Sequence, residues 1–159
     1  MSVLARAPVE ALVAIGANLG DARASVMQAI EALGQLPLTR CLQVSALYRT
    51  EPFQAQGPDF INAVAKLETA LTAPDLLQAL QALELAAGRE RPYPNAPRTL
   101  DLDLLMYGDA TLDSPRLIVP HPRWHERAFV VYPLRDVSPE RVDEATWQAV
   151  SAQIIERLS

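Results

Sequence analysis

Lysine and cysteine are both scarce in this sequence. Of its 14 cationic side chains only Lys66 is a lysine, and Cys41 is the single cysteine. One cysteine cannot form a disulfide within the chain, so folds that depend on internal disulfides are excluded. A chain of 159 residues can bury about 68–70% of the surface that its unfolded form exposes. We therefore expect one domain over residues 1–159 that needs no structural metal.

Long hydrophobic runs and an excess of positive charge are also absent. No stretch approaches the roughly 18 apolar residues of a membrane-spanning helix, and the N-terminus lacks the pattern of a secretory signal peptide. The formal net charge of −5 argues against a general nucleic-acid or anionic-membrane binder, because such proteins need a basic face. We expect a cytoplasmic protein with neither partner.

The familiar nucleotide-binding and zinc-binding motifs are missing too. No G-x-x-x-x-G-K-[ST] sequence occurs, which excludes a P-loop enzyme, and the glycines of residues 16–20 have the wrong spacing for a Rossmann fingerprint. His121 and His125 stand four residues apart, but no third ligand of suitable type is close to them in the sequence. Pro120 and Pro122 also disfavour a helix through His121. Zinc is therefore disfavoured.

Hydrophobic periodicity predicts six main elements in the order strand, helix, strand, strand, helix, strand. They are a strand at 11–17, a helix capped by Asp21 and ended by Gly34, alternating strands at 41–49 and 60–67, a helix at 74–87 and a strand at 100–107. Weaker patterns predict extended pieces near Leu112 and 117–119, a short helix at 128–132, and a C-terminal helix carrying Trp147, Val150, Ile154 and Leu158. The order matches an α/β (α+β) ferredoxin-like fold, with a central, mostly antiparallel sheet flanked by helices.

Two aspartates alternate with leucines in the last main strand. Successive side chains of a strand point to opposite faces, so Asp101 and Asp103 share one face, roughly 6.6–7 Å apart along the backbone. Aspartate is disfavoured in strands, so the pair needs a reason. Carboxylates at this spacing suit Mg²⁺, and two such ions about 3.5–4 Å apart can clamp both oxygens of a displacement at phosphorus. A merely solvated acidic face is the alternative interpretation.

Arginines flank the aspartate pair. Of the 14 cations and 19 acids, residues 89–127 hold six of each, which leaves 8 cations and 13 acids elsewhere. Guanidinium groups make planar, two-pronged contacts with phosphate. Carboxylates for a metal and arginines for phosphate are the parts of a phosphoryl-transfer site. Codon bias is the alternative explanation for the arginine content in the rest of the chain.

Six ordered blocks carry a resemblance to a known family. They are Gly16-Ala-Asn-Leu-Gly-Asp21, Tyr48-Arg-Thr-Glu-Pro52, Pro58-Asp-Phe-Ile-Asn62, Gly88-Arg-Glu-Arg91, Pro97-Arg-Thr-Leu-Asp-Leu-Asp103 and Val119-Pro-His-Pro-Arg-Trp-His-Glu-Arg-Ala-Phe129. With these blocks the chain resembles the hydroxymethyldihydropterin pyrophosphokinases (HPPK) from Val13 to about Pro139. Enzymes of that family act in the folate pathway and move a pyrophosphoryl group from ATP to a pterin alcohol.

The resemblance implies an ATP site around the last main strand. Asp101 and Asp103 would hold two Mg²⁺ ions that bridge the ATP phosphates, and Arg89 and Arg98 would join them as catalytic residues. The implied ATP-binding residues are Arg91, Arg98, His121 and Arg127 for the triphosphate, with Arg89 in support, and Gln81, Glu84, Leu104, Arg116 and Ile118 for the nucleoside.

A pterin is a flat heteroaromatic ring with donors and acceptors along its edge, so it requires aromatic faces and in-plane polar groups. Phe60 and Asn62 are predicted to share one strand face, and Phe129 would supply the opposite wall. The resemblance adds Thr50, Pro52 and Phe53 to the pterin-binding residues. Without it, both phenylalanines would be core residues and Asn62 a polar residue near a strand end.

The implied reaction is attack of the pterin hydroxymethyl oxygen on the β-phosphorus of ATP, with AMP leaving. No side chain stands out in the sequence as a general base. Two alternatives stay open: a ferredoxin-like sensor that binds a nucleotide or metabolite without chemistry, and a magnesium-dependent nucleotidyltransferase that releases pyrophosphate. We expect ATP and a hydroxymethyl-dihydropterin as ligands and a monomer in solution.

Overall fold

The structure, a computed structural model, describes residues 7–52, 57–88 and 100–158. Its helices and strands in chain order are β1 (Val9–Ala17), α1 (Ala22–Gly34), β2 (Thr39–Val44), β3 (Leu47–Thr50), β4 (Phe60–Thr69), α2 (Ala73–Ala86), β5 (Asp101–Tyr107), β6 (Leu112–Asp113), β7 (Ile118–Val119), α3 (Ala128–Val137), α4 (Glu144–Ala149) and β8 (Glu156–Leu158). None of the helices in these ranges has the length and apolar character needed to cross a membrane.

The main sheet is antiparallel at every strand pair described. Its order is β5-β1-β4-β3-β8, and β2 pairs with the other end of β4. The first and last main strands of the predicted order, β1 and β5, are therefore neighbours, and two helical crossovers connect the strands as in a split βαβ arrangement. The ferredoxin-like α/β fold predicted from the sequence is confirmed.

One face of the sheet is covered by α1 and α2. Alternate residues of β1, including Val13 and Ile15, meet Leu33 of α1 and Leu80 of α2 in a single buried core. Both helices begin at a capping side chain: Asp21 accepts a hydrogen bond from the Ala24 N–H at 3.0 Å, and Thr72 from the Asp75 N–H at 3.1 Å. Each cap satisfies a backbone donor that the helix itself leaves unpaired.

The opposite face is covered only in part. Leu134 and Val137 of α3 pack on Leu12, Val64 and Leu105, which come from the adjacent strands β1, β4 and β5. Farther along the same strands, toward the end of β1 and the start of β5, the residues on this face are small or polar. The main sheet therefore has one face closed by two helices and one face that α3 leaves open at one end.

The single strand predicted over 41–49 is wrong, because the chain bends at Ser45 and Ala46. Ser45 Oγ accepts the Val64 N–H at 2.9 Å in place of a ladder carbonyl, and the Ala46 N–H donates to Asp136 Oδ2 at 3.1 Å. These side chains satisfy the backbone groups that leave the ladder. The register also shifts within β2, where Leu42 is 43% exposed.

The predicted C-terminal helix is wrong beyond its first part. Only α4 is helical, Ile154 is 81% exposed, and Glu156–Leu158 forms β8. Leu158 lies opposite Leu47, so β8 pairs with the edge of β3 and satisfies backbone groups that an edge strand otherwise leaves open. The short helix predicted at 128–132 exists but continues to Val137 as α3.

Candidate active site

The open end of the sheet carries a row of residues that crosses four strands. Asp101 of β5 lies opposite Gly16 of β1, Gly16 lies opposite Asn62 of β4, and Asn62 lies opposite Tyr48 of β3. A Cβ added to Gly16 would lie 3.4 Å from Asn62 Oδ1 and 3.8 Å from Phe60 Cδ1. The missing side chain thus leaves a flat floor between the carboxylate and the amide.

Asn62 is held in one orientation. The residue is 4% exposed, and its Nδ2 donates to Thr50 Oγ1 at 2.9 Å and to the Tyr48 carbonyl at 3.4 Å. With Nδ2 occupied in this way, Oδ1 faces the space above Gly16 as an acceptor. Phe60 lies on the same face, opposite Thr50. The structure therefore brings together three of the predicted pterin residues: Thr50, Phe60 and Asn62.

The aspartate pair has the predicted placement. Asp101 and Asp103 are half-buried on the open face, while Leu100, Leu102 and Leu104 are buried in the core on the other. Asp103 lies opposite Ala14, so small residues of β1 stand beside both carboxylates.

Magnesium suits this donor set better than zinc does. Within the described ranges no group of three or more His, Cys, Asp or Glu is arranged to hold a metal ion. The candidate donors on the open face are the carboxylates of Asp101 and Asp103. Zinc takes three or four protein ligands, mostly nitrogen and sulfur. Mg²⁺ commonly uses one or two carboxylates and completes its shell with water and phosphate oxygens. The residues present therefore fit Mg²⁺ together with a phosphate-bearing ligand.

His121 lies beside β5, because its N–H donates to the Leu105 carbonyl at 2.8 Å. Its Nδ1 accepts the Arg123 N–H at 3.3 Å, so in the neutral ring the proton is on Nε2, which is a donor. Burial lowers the pKa of His121, and the charges of Arg127 and Arg123 lower it further, whereas Asp101 opposes the shift. A positive field beside the carboxylates and a neutral N–H donor together suit a bound anion.

The five predicted nucleoside residues divide into two groups. Glu84 is 3% exposed, and its Oε2 accepts the Leu102 N–H at 2.8 Å on the outer edge of β5. Leu104 is likewise buried in the core. The exposed residues of the set are Gln81, Arg116 and Ile118. Glu84 and Leu104 therefore have clear roles in holding β5, and contact of the five with a nucleoside stays a prediction.

The remaining predicted residues are placed as follows. Phe129 is partly buried against the α3 core, with the Arg127 guanidinium carbon 5.6 Å from its ring centroid. Pro52 is half-buried at the end of a described range. Four predicted site residues lie outside the described residues: Phe53, Arg89, Arg91 and Arg98.

Sequence reasoning did not single out two residues that shape this site. Gly16 forms the floor. It could have been found from the sequence, because a glycine inside a strand pattern indicates that another group approaches the backbone closely. Asn18 is 1% exposed, and its Nδ2 donates to the Pro58 carbonyl at 3.1 Å, which ties the turn before β4 to the end of β1. Nothing in the local pattern around Asn18 predicts a partner 40 residues away.

Comparison with known proteins places this geometry in a family. The family model described as 7,8-dihydro-6-hydroxymethylpterin-pyrophosphokinase (HPPK) matches residues 12–139. A protein of Pseudomonas aeruginosa named 2-amino-4-hydroxy-6-hydroxymethyldihydropteridine pyrophosphokinase is 50% identical over 129 residues, 80% of each chain. One with the same name from Synechocystis is 38% identical over 148 residues, 93% of this chain and 75% of the relative.

A solved structure agrees in fold. A crystal structure described as HPPK-DHPS in complex with substrates matches 95% of this chain with a TM-score of 0.70 and 11% identity. This chain spans 46% of that one, and at this identity the likeness concerns the fold alone. The family match, in contrast, includes the row from Asp101 to Tyr48, His121 and α3. The sequence match and the placement of these residues agree, and this chain belongs to the 7,8-dihydro-6-hydroxymethylpterin-pyrophosphokinase family.

Proposed function

We propose that this protein transfers the pyrophosphoryl group of ATP to 6-hydroxymethyl-7,8-dihydropterin in folate biosynthesis, giving the pterin diphosphate and AMP. The observation that carries the proposal is the row Asp101, Gly16, Asn62. It sets a carboxylate for phosphate chemistry and a fixed amide for ring recognition at opposite ends of one flat floor. The relatives named above carry this activity in their names.

The pterin end of the floor is built for a planar polar ring. Asn62 Oδ1 would accept from a donor on the ring edge, since its Nδ2 is already committed to Thr50 and Tyr48. Phe60 would contact one face of the ring and Phe129 the other, in the stacked arrangement that aromatic systems favour. Pro52 and Phe53 complete the proposed pterin-binding set.

The phosphate end combines carboxylates with cations. Asp101 and Asp103 are the residues that would hold two Mg²⁺ ions, which when bound neutralise the charge that develops on phosphate oxygens. His121 would donate from Nε2–H to the triphosphate, and Arg127 would contact it as a permanent cation. Arg91 and Arg98 belong to the same proposed set, with Arg89 in support, and Gln81, Glu84, Leu104, Arg116 and Ile118 form the proposed nucleoside set.

The protein would then promote the reaction mainly by positioning the pterin hydroxymethyl group and the ATP phosphates. The hydroxymethyl oxygen forms a bond to the β-phosphorus and loses its proton to water, and the bond from that phosphorus to the oxygen bridging to the α-phosphate breaks, so AMP leaves with that oxygen. Asn62 and the ring walls orient the nucleophile, while His121 and Arg127 orient the phosphates. Holding both reactants in line lowers the entropic barrier, which in phosphoryl transfer is a large share of catalysis.

Product identification tests the proposal. The protein is incubated with ATP, Mg²⁺ and 6-hydroxymethyl-7,8-dihydropterin, and the products are separated by anion-exchange chromatography and identified by mass. AMP with a diphosphorylated pterin is the expected pair. Pyrophosphate as a product would indicate a nucleotidyltransferase, ADP a simple kinase, and binding without turnover a sensor; each of these results would overturn the proposal.

We also propose that residues 1–159 act as one monomeric domain in the cytoplasm, without a nucleic-acid or membrane partner. The supporting observations are the net charge of −5 and the absence of a basic excess even in residues 89–127. Light scattering after size exclusion at micromolar protein concentration measures the mass directly. A mass near 17.4 kDa is expected, and a dimer mass would contradict the monomer.

A further inference from the structure

A carboxylate near the end of α3 ties that helix to the bend between β2 and β3. Asp136 Oδ2 accepts from the Tyr48 hydroxyl at 2.8 Å and from the Ala46 N–H at 3.1 Å. The Asp136 carbonyl also accepts from Gln43 Nε2 at 3.4 Å. We call the Asp136 carboxylate, the Tyr48 hydroxyl and the Ala46 N–H the helix clamp. It joins two segments that are about 90 residues apart in the sequence.

The helix clamp joins two elements, α3 and β3, and each of them positions one wall of the proposed pterin pocket. On the helix side, Phe129 and Asp136 are seven residues apart, so they lie on the same side of α3, about 10.5 Å apart along its axis. On the strand side, β3 supplies both acceptors that orient Asn62, the Tyr48 carbonyl and Thr50 Oγ1. The distance between the walls therefore depends on how α3 sits on β3.

The surroundings keep the clamp in its hydrogen-bonded form. Tyr48 is 4% exposed, and burial together with the negative charge of Asp136 raises its pKa, against a small opposing effect of Arg157, so the hydroxyl stays a donor. Its ring meets Tyr132 edge-on at 6.1 Å, and Tyr132 stacks on Trp147 at 4.5 Å. The hydrogen bonds to a carboxylate are of the stronger, charge-assisted kind.

We infer that Asp136 and Tyr48 are positioning residues for the pterin, which set the separation between Phe129 on α3 and Asn62 on β4 without touching the substrate. The inference rests on the proposed function. The helix clamp acts on the ring pocket and leaves the phosphate end, with Asp101 and Asp103 on β5, on the far side of β1 and β4. Its loss should therefore weaken pterin binding and spare ATP binding.

The test uses Tyr48→Phe, which removes one hydroxyl and leaves the Ala46 contact of Asp136 in place. The matched control is Tyr107→Phe: Tyr107 is also buried, and its hydroxyl donates to the Leu71 carbonyl on the helix-covered face. Steady-state KM for the pterin and for ATP, kcat and the melting temperature are measured for both variants and the wild type. Titration calorimetry gives the pterin dissociation constant for the same proteins.

The expected result is a rise of up to about tenfold in the pterin KM and dissociation constant for Tyr48→Phe, because the size of one charge-assisted hydrogen bond sets the upper bound on the change in affinity. The ATP KM should stay within about twofold of the wild-type value, because only the pterin subsite is weakened. Tyr107→Phe should lower the melting temperature by a similar amount and leave both KM values unchanged. Asp136→Ala should act like Tyr48→Phe with a larger shift, provided that it folds.

Three outcomes would overturn the inference. One is an unchanged pterin KM in Tyr48→Phe, and another is an equal change in Tyr107→Phe. The third is a fall in kcat with unchanged pterin binding. If the wild type itself does not turn over, the proposed function fails, and the role of the clamp in substrate binding fails with it. If the wild type is active and the pterin KM of Tyr48→Phe is unchanged, only the inference about the helix clamp is overturned.

Discussion

The two faces of the main sheet are built from alternate residues of the same strands, yet they have opposite characters. In β5, Leu102 and Leu104 point into the core under α1 and α2, while Asp101 and Asp103 point to the open face. In β1, Val13 and Ile15 fill the covered face, and Gly16 leaves the open face flat. One face is packed under two helices, while the other is packed under α3 at one end and open at the other.

The two faces of the sheet differ in how much they contribute to the stability of the fold. The covered face buries large side chains from four strands and two helices, each contributing roughly 1.5–3 kcal/mol by removal from water. The open end of the other face contributes little of this kind, so its residues can change with small effects on folding. Substitutions on the open face should therefore lower activity, and substitutions on the covered face should lower stability, even where the two residues are neighbours in one strand.

The largest effect should come from the open face. We expect Asp101→Ala or Asp103→Ala to lower kcat/KM by about 10³-fold, roughly 4 kcal/mol, since each removes a carboxylate from the phosphate end. The melting temperature should change little, because both side chains are half-buried outside the cores. Asp109→Ala, at an exposed acid in the turn after β5, is the charge-matched control. Unfolding of both site variants would favour a purely structural pair.

The neighbour between the two aspartates should behave in the opposite way. Leu102 is 5% exposed in the core on the covered face. Leu102→Ala should lower the free energy of unfolding by about 3 kcal/mol through lost burial and a residual cavity. Urea denaturation measures this value, and kcat per folded molecule at low temperature should stay close to wild type. A loss of kcat without loss of stability would contradict the division by face.

Glu84 is the residue at which the two roles can be told apart. Its buried carboxylate accepts the Leu102 N–H, so Glu84→Ala should lower the free energy of unfolding by about 1–3 kcal/mol. Glu84→Gln keeps an acceptor and should recover most of that loss. If the ATP KM rises in the Gln variant while its stability is near wild type, Glu84 also contacts the nucleotide. If only stability changes, its role is to hold the edge of β5.

The smallest effect should come from filling the floor of the pocket. Gly16→Ala places a methyl 3.4 Å from Asn62 Oδ1, and we expect the pterin KM to rise by about fivefold, equivalent to about 1 kcal/mol. Gly34→Ala is the matched control, because its added methyl meets only Cys41 Cβ at 3.7 Å. A pterin KM unchanged in both variants would show that the ring does not lie over Gly16.

Much of the fold and part of the site could be predicted because they depend on local pattern. Period-two alternation placed Asp101 and Asp103 on one strand face and Phe60 and Asn62 on another, since the pleat of a strand sets that period whatever the fold. The capping residue Asp21 was predicted for the same reason, because its hydrogen bond reaches only three residues ahead. The six sequence blocks then predicted the family, which the comparisons confirm.

The two predictions that were wrong, the single strand at 41–49 and the C-terminal helix, concern segments whose hydrogen-bond partners lie far away in the sequence. The bend at Ser45 and Ala46 breaks an alternating run because an acceptor on α3, 90 residues later, satisfies the Ala46 N–H. The C-terminal segment has helical spacing, but the free edge of β3 takes Glu156–Leu158 as a strand instead. Periodicity carries no information about such partners, so tertiary hydrogen bonding overrides it.

The sequence by itself determined which side chains of β4 and β5 share a face, the order of the six main elements from β1 to β5 and the family, because pleat, helix period and motif spacing are local properties of the chain. The tertiary structure decided which faces meet. Only the register of β1 between β4 and β5 sets Gly16 between Asp101 and Asn62, and only the packing of α3 sets Asp136 against Tyr48. Both depend on burial and hydrogen bonds between segments that are distant in the sequence, so a local pattern does not contain them.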